Sequence, residues 1–501
     1  MKYIIVQAGG KGTRLKHLTK NKPKALVPIE NLPMLFHLFR KYPEKKFIII
    51  ADYKKEVLRE YLAAFSEVIY QVVDADGSGT CAGIRQAVNL IPQNEPFMLV
   101  WSDLILPLEF QMPEEYASKG IPKNDYIGIS EKFLCRWSYK NGRFIEESSI
   151  ENGVAGLFLF TDKDKLQEIP DNGEWVRWMQ QKQKQFVEIS LAGTREFGLL
   201  EEYEKLTVQK CRPFNRVRID GDVFIKEAVD AQGVKLAERE CAWYAKAMEE
   251  NISILPKIYS THPLRMEYIK GGNIYEYDFS CEEKKKILNI LVSALKRLHV
   301  LEQEPVDTFS MKEAYFNKTM DRLRIVEDLV PFARERVIYI NGRACRNIYY
   351  HKKELEKKIE QLHSGSFCLI HGDCTFSNIM LRENGEPVLI DPRGYFGHTE
   401  IYGDERYDWA KMYYSIVGNY DRFNLKEFEL DIKDNGVRLE IASNHWEDLE
   451  QDFFEMTGAD KEEIKLIHAI IWLSLTTYAW QDYDSVCGAF YNGLYYLEEV
   501  L

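Results

Sequence analysis

The sequence predicts a doubly wound, mostly parallel α/β domain followed by an α+β domain of two lobes. Three observations predict it: strand–helix alternation through the first 110 residues, a change of pattern near residue 211, and mainly helical spacing after residue 280. A chain of 501 residues is also too long for one ordinary core.

The elements follow in order. "YIIVQA" (3–8), "KFIIIAD" (46–52), "EVIYQVV" (67–73) and "FMLVWSD" (97–103) read as buried strands. Between them "LPMLFHLFRKY" (32–42), "KKEVLREYLAAF" (54–65) and "TCAGIRQAVNLI" (80–91) carry helical spacing. This alternation implies crossovers, with ligands at the carboxyl ends of the strands. "WSYKNGRFIEES" reads as a hairpin about Asn141-Gly142, "NGVAGLFLF" (152–160) as a strand, and "LLEEYEKLTVQK" (199–210) as a helix. In the second half, "NRVRIDGDVFIKEAV" (215–229) reads as two strands about Asp220-Gly221. "LAERECAWYAKAMEE" (236–250) is helical, and "LRMEYIKGGN" (264–273) is a strand ending at Gly271-Gly272. After residue 280, strands are expected only around 369–391. The expected domains are 1–208 and 209–501, the latter split into a small lobe of about 213–271 and a helical lobe of about 272–501.

Composition narrows the function. A net charge of −12 argues against general nucleic-acid binding. No stretch approaches the roughly 20 apolar residues that span a bilayer, and the apolar start is too short for a signal peptide, so a cytoplasmic protein without membrane insertion is expected. The nine cysteines contain no CxxC pair, which fits reduced thiols better than a zinc site or disulfide framework. The oligomeric state is left open.

Two stretches carry chemistry. "VQAGGKGTRL" (6–15) is a glycine turn after a strand. It lacks the P-loop spacing, and Leu15 stands where a dinucleotide fingerprint needs its third glycine. What remains is a turn whose N–H groups can approach phosphate, with positive charge from Lys11, Arg14 and Lys24. The second is "HGDCTFSNIML", residues 371–381, followed by "VLIDPRG", residues 388–394. Asp373 can accept a hydroxyl proton, while Asn378 and Asp391 can hold Mg²⁺ on nucleotide phosphates, the set that phosphoryl transfer to an alcohol requires. His371 reads as a scaffold residue, since Asp373 already supplies the base. The aromatic tail (Tyr402, Tyr407, Trp409, Tyr413, Tyr414, Trp472, Tyr478, Trp480, Tyr483) reads mostly as core, with some rings free to stack on a sugar or box a quaternary amine.

"GGKGTRLKHLTKNKPKALVPIENLP" (9–33) resembles the signature of nucleotidyltransferases that activate sugar phosphates. The match includes Gly12-Thr13-Arg14, Thr19, Pro23-Lys24 and Pro28. "GSGTCAGIRQAV" (77–88), "VWSD" (100–103) and "AGTREFGLLEEYEKL" (192–206) are similar to later segments of that family, in its order. The resemblance covers roughly 1–208. It implies a nucleotide cradle of Ala8, Gly9, Gly10, Lys11, Gly12, Thr13, Gly79 and Thr80, catalytic charge from Arg14 and Lys24, and Mg²⁺ on Asp103 and Glu196. The family usually has Asp at the last position, so the longer Glu196 departs from its pattern.

The second stretch resembles the aminoglycoside phosphotransferase and choline kinase group, a branch of the protein-kinase-like fold. That likeness places Lys226 on the ATP phosphates with Glu240 as its partner (Glu238 is a nearby rival) and Asn215 near phosphate. It makes Asp373 the base, Asn378 and Asp391 metal ligands, and Asp408 structural.

Together the resemblances imply consecutive steps. ATP phosphorylates a small acceptor, with a sugar at its anomeric position leading. A second nucleoside triphosphate then gives up its monophosphate to that phosphate, releasing pyrophosphate and an activated nucleotide sugar for cell-surface polysaccharide. The runner-up is a choline or ethanolamine kinase joined to a CTP:phosphocholine-type cytidylyltransferase. A third reading makes one domain a non-catalytic regulatory module.

Overall fold

The first strand, Tyr3–Gln7, sits at the centre of a nine-stranded sheet because Ile4, Ile5 and Val6 are apolar on both faces and fully buried. In the computed structural model it pairs in parallel with Lys46–Ala51 on one side and Phe97–Trp101 on the other. The structure describes residues 1–117, 122–206, 215–229, 231–249, 252 and 254–501, without the side chains of 215, 231 and 232. The chain divides into two compact units, Met1–Thr207 with Gln481–Asp484 and Val208–Trp480 with Ser485–Leu501.

In the first unit, Ile69–Asp74 extends the parallel set beyond Lys46–Ala51, and Gly153–Phe160 adds antiparallel to Phe97–Trp101. Because neighbours join the first strand from opposite sides, the chain reverses direction across the sheet at the end of Tyr3–Gln7, and a crevice opens there. Helix Lys55–Phe65 buries Leu58, Tyr61 and Leu62, each worth about 1.5–3 kcal/mol relative to exposure. The expected hairpin forms as Ser138–Lys140 and Arg143–Ile145, with Asn141 (φ 53°) and Gly142 (φ 76°) both left-handed as a two-residue turn of this kind needs.

Some expectations need correction. Ile69–Asp74 is not a buried strand: it closes the sheet as an edge, with Ile69 67% exposed, because nothing pairs beyond it. The helix expected over 80–91 covers only Ile84–Asn89, since 77–83 is spent on a loop. The helix expected over 199–210 is Leu200–Glu204, and 207–210 lies outside the described residues.

The second unit opens with a four-stranded antiparallel sheet: Asn215–Asp220, Val223–Ala228, Leu264–Glu267 and Ile258–Thr261, in that order. Helix Ala231–Glu249 supplies the fully buried Trp243 and Tyr244. Helix Cys281–Val300 begins at a capping box, in which the Glu283 amide donates to the Ser280 hydroxyl and the Ser280 amide to the Glu283 carboxylate. Helices Glu405–Ile416 and Lys461–Leu475 start at Asp404 and Asp460, whose carboxylates accept first-turn amides.

Strands beyond 280 are not confined to 369–391. Val337–Ile340, Arg343–Arg346, Gly436–Ile441 and Phe428–Lys433 form a further four-stranded sheet. A local signal was the Asn341-Gly342 turn, φ 50° and 80°, whereas "VIYI" is apolar throughout and its alternating burial shows only in the structure.

Candidate active sites

The first site lies at the carboxyl ends of the parallel strands. Ala8 is buried and its amide donates to Ile50 O at 3.0 Å, so the turn that follows leaves the sheet at the crevice. Gly12 has φ 64°, and a Cβ there would lie 3.0 Å from Lys24 Cβ. Only a residue without a side chain lets the turn settle against Lys24. Lys11, Thr13 and Arg14 project into solvent, and the Lys11 ammonium stands 5.5 Å over the Tyr53 ring. Gln7 ties the next loop to this edge: its Nε2 donates to Thr80 O at 2.8 Å, while Thr80 Oγ1 accepts from the Trp175 amide at 2.8 Å. The Gly79-Thr80 segment therefore lies beside the end of the first strand.

A two-residue ladder completes the site. Arg195–Glu196 pairs antiparallel with Leu104–Ile105, setting Glu196 opposite Leu104 and hence beside Asp103. The Lys24 ammonium donates to Asp103 Oδ2 and lies 3.8 Å from Glu196 Oε1. Gly198 makes the approach feasible, since a Cβ there would fall 1.9 Å from Glu196 Oε1 and 3.1 Å from Lys24 Nζ. Burial, and then the negative charge of Asp103, push the Glu196 carboxyl up to about 7. Burial would also raise Asp103, but the charge and hydrogen bond of Lys24 outweigh it and hold that carboxyl below its usual value.

In the second unit, strand Val223–Ala228 carries Lys226, whose ammonium pairs with Glu240 Oε2 at 2.9 Å and Asp391 Oδ1 at 2.8 Å. Glu240, not Glu238, is the partner. Burial raises the Glu240 carboxyl to about 7 against the opposing pull of Lys226. The side chain of Asn215 lies outside the described residues.

Hairpin Ile379–Leu381/Pro387–Leu389 brings Asn378 and Asp391 together: Ile379 faces Leu389, and the Ile390 amide donates to Asn378 O at 2.9 Å. Asn378 Nδ2 donates to Asp373 Oδ2 at 3.0 Å, leaving its amide oxygen as the acceptor end. Asp373 Oδ1 is held by the Lys411 ammonium at 2.9 Å.

Buried Asp408 anchors the loop, accepting from the amides of His371 (2.9 Å) and Gly372 (2.6 Å) and facing His299 Nε2 at 3.0 Å. Asp421 anchors its far end through the Ser377 amide at 2.7 Å. His371 is fully buried, its Nδ1 3.3 Å from the Asp373 amide, and burial keeps it neutral by lowering its pKa.

Sequence reasoning did not single out Gln7, Lys411 or Asp421. Lys411 had a signal, standing three residues after Asp408 on one helix face. Asp421 had none, because its partner loop lies over 40 residues upstream.

Two clusters of charged side chains thus stand on one chain, one in each unit. Residues 3–122 match the family model for nucleotidyl transferases and residues 242–419 that of the phosphotransferase enzyme family.

Among relatives, it is 26% identical over 171 residues to "Bifunctional protein GlmU" of Methanococcus maripaludis, covering 34% of this chain and 37% of that protein. It is 25% identical over 194 residues to the "Mannose-1-phosphate guanylyltransferase catalytic subunit beta" of Dictyostelium discoideum, covering 35% of this chain and 54% of that one. The chain thus spans between about a third and about half the length of these relatives. A solved gentamicin-APH(2")-IIa complex is similar at 16% identity and TM-score 0.38, over 57% of this chain and 90% of that one.

Proposed function

We propose that the chain is a two-step enzyme. Its C-terminal site phosphorylates a hydroxyl of a small acceptor with ATP, the leading acceptor being a sugar at its anomeric position. Its N-terminal site moves a nucleoside monophosphate from a second triphosphate onto that phosphate and releases pyrophosphate. An activated nucleotide sugar of this kind suits the assembly of surface polysaccharide. The observation that carries the reading is that both constellations are assembled on one chain: Lys24 with Asp103 and Glu196, and Lys226 with Asp391 beside Asp373.

The residues fit a divalent cation at each site. Asp103 Oδ1 is buried with no hydrogen-bond partner among the described residues, and Glu196 stands beside it. Asn378 and Asp391 offer an amide oxygen and a carboxylate. No group of three His, Cys, Asp or Glu able to hold a metal occurs among the described residues. Mg²⁺ takes one or two carboxylates and completes its shell with water and substrate phosphate. When bound, Mg²⁺ neutralises charge on the reacting phosphates.

The chain's own groups do the rest. The 8–13 turn and Gly79-Thr80 hold the nucleotide, while Arg14 and Lys24 offset charge in the first site. No protein nucleophile is required there, because the acceptor's phosphate oxygen attacks. In the second site Lys226, held by Glu240, faces the ATP phosphates, and Asp373, aligned by Asn378 and Lys411, takes the hydroxyl proton.

The test is a matrix of acceptors against ATP with UTP, CTP, GTP or dTTP, read by mass spectrometry for a nucleotide-linked product. Product is expected only where ATP and a second triphosphate are both supplied. If no sugar or aminoalcohol gains a phosphate from ATP, the kinase half fails and the C-terminal unit becomes a binding module.

A further inference from the structure

The surroundings of Asp373 are cationic, on a chain whose net charge is −12. Lys318 and Arg322 lie one turn apart on helix Lys318–Val326 and so share a face. A π-helical run, Glu313–Asn317, leads into them, a distortion that recurs at functional sites. Arg393 follows Asp391 by two residues, and Lys411 pairs with Asp373 itself.

Asp373 balances Lys411, but Lys318, Arg322 and Arg393 pair with no carboxylate among the described residues. The Lys318 ammonium makes no hydrogen bond or ion pair among the described residues, and Glu313 is the acid that pulls on it from nearby. Arg322 donates to the backbone oxygen and hydroxyl of Ser474, and Arg393 donates to the hydroxyls of Tyr407 and Tyr395. None of the four cations pairs with Glu240 or Asp391, which Lys226 serves. Burial, and the repulsion of Arg393, Arg322 and Lys411, pull the pKa of Lys318 well below the ordinary lysine range, so the amine takes up its charge when an anion supplies the missing partner. Three of the four basic side chains therefore lack a carboxylate counter-charge, which a ligand could bring.

The nearby rings are also engaged. Arg393 lies 4.4 Å from the Tyr395 ring centre and 5.5 Å from that of Tyr407. Lys411 lies 5.4 Å from Tyr414, and Arg322 5.9 Å from Tyr478. These faces would have to cage a quaternary ammonium, yet each already meets a protein cation.

We infer that the acceptor of the phosphotransferase site is an anion, a sugar or polyol that carries a carboxylate or phosphate in addition to the hydroxyl it presents to Asp373. The inference rests on the phosphotransferase reading of that site. Lys318 and Arg322 bind the anionic group, and Arg393 and Lys411 hold the hydroxyl end against Asp373. In the transfer, the hydroxyl oxygen bonds the γ-phosphorus of ATP. The bond from that phosphorus to the bridging oxygen breaks, ADP leaves with the electron pair, and the proton passes to Asp373. The phosphorylated product keeps its second anionic group.

The test uses the full chain and matched probes: glucose, glucuronate, glucose 6-phosphate and choline. Calorimetry with a non-hydrolysable ATP analogue present compares wild type with the K318A/R322A double variant and the charge-conserving K318R/R322K pair. The expected result is that glucuronate or glucose 6-phosphate binds wild type at least tenfold more tightly than glucose or choline. The double variant loses that margin and the conservative pair keeps it. In turnover the loss falls on KM rather than kcat. Binding of both anions that is equal in wild type and double variant overturns the inference, as does preferential turnover of glucose or choline, which would leave the kinase reading standing. Variant-sensitive anion binding without phosphorylation of any probe upholds the anion site and counts against the kinase reading instead.

Discussion

The two sites solve one problem with different amounts of chain. In each, a lysine ammonium holds a carboxylate proposed to face a metal and phosphate: Lys24 on Asp103, and Lys226 on Asp391. The first site does this with one lysine against two acids, brought together by a two-residue ladder and a glycine. The second also sets one lysine, Lys226, between two acids, Glu240 and Asp391, but adds another, Lys411, on the proposed base Asp373 and pins the intervening loop with the buried Asp408 and Asp421. The difference follows from the chemistry. Nucleotidyl transfer needs charge placed on phosphates, whereas transfer to a hydroxyl also needs a base at a fixed position.

The sharpest way to separate the two is to remove one acid from each. Asp373→Asn is expected to lower phosphorylation of the acceptor about 10²–10⁴-fold and leave nucleotidyl transfer onto supplied acceptor phosphate intact. Asp103→Asn is expected to do the reverse. Steady-state assays of the separate half-reactions check both. Loss of both activities in either variant would break the comparison.

Next come the lysines. Lys24→Met and Lys226→Met are each expected to cost about 10²–10³-fold in kcat of their own half-reaction, the scale for removing one preorganised charge. An equal effect on both half-reactions would contradict the pairing drawn here.

How much of this was legible differs between the units. The parallel strands were readable because buried strands are continuous apolar runs, and Lys24 and Asp103 because each stands within a recognisable local motif. The edge position of Ile69–Asp74 was not, since pairing order is set by the whole sheet. Glu196 was named as the weaker ligand. What places it beside Asp103 is the ladder Arg195–Glu196/Leu104–Ile105, a contact across about 90 residues that no local pattern announces. In the second unit Asp373, Asn378 and Asp391 lie along one hairpin and could be read together. Lys318 and Arg322 come from one helix and Lys411 from another, and their helical spacing looks like any solvated face.

A third effect concerns stability. Asp408→Ala removes the acceptor of two backbone amides and the partner of His299, and is expected to cost about 3–5 kcal/mol, the range for breaking a buried charged pair. Thermal melting should show it as a lower transition for the second unit, with nucleotidyl transfer retained below that temperature. Its pH dependence has a definite sign. Burial would raise the Asp408 carboxyl, but the hydrogen bond and charge of His299 outweigh it, so its folded pKa lies below the ordinary 3.8. Its contribution is therefore present above pH 3.8 and lost as pH falls through the folded value. Asp408→Asn should remove that part of the acid-side slope.

The smallest effect tests the scaffold reading of His371. A buried neutral imidazole contributing one hydrogen bond is worth about 1 kcal/mol, so His371→Gln is expected to lower kcat by no more than about fivefold. A loss matching Asp373→Asn would make it part of the acid–base machinery.

The most direct measurement mixes the two dead variants. With an acceptor found in the matrix, ATP and the second triphosphate, Asp373→Asn alone and Asp103→Asn alone should each form nucleotide-linked product at least about 10²-fold more slowly than wild type, as read by mass spectrometry. The mixture should give it, with acceptor phosphate accumulating in Asp103→Asn alone. Nucleotide-linked product forming at the wild-type rate in Asp373→Asn without supplied acceptor phosphate, or none from the mixture while wild type makes it, would contradict the two-step account.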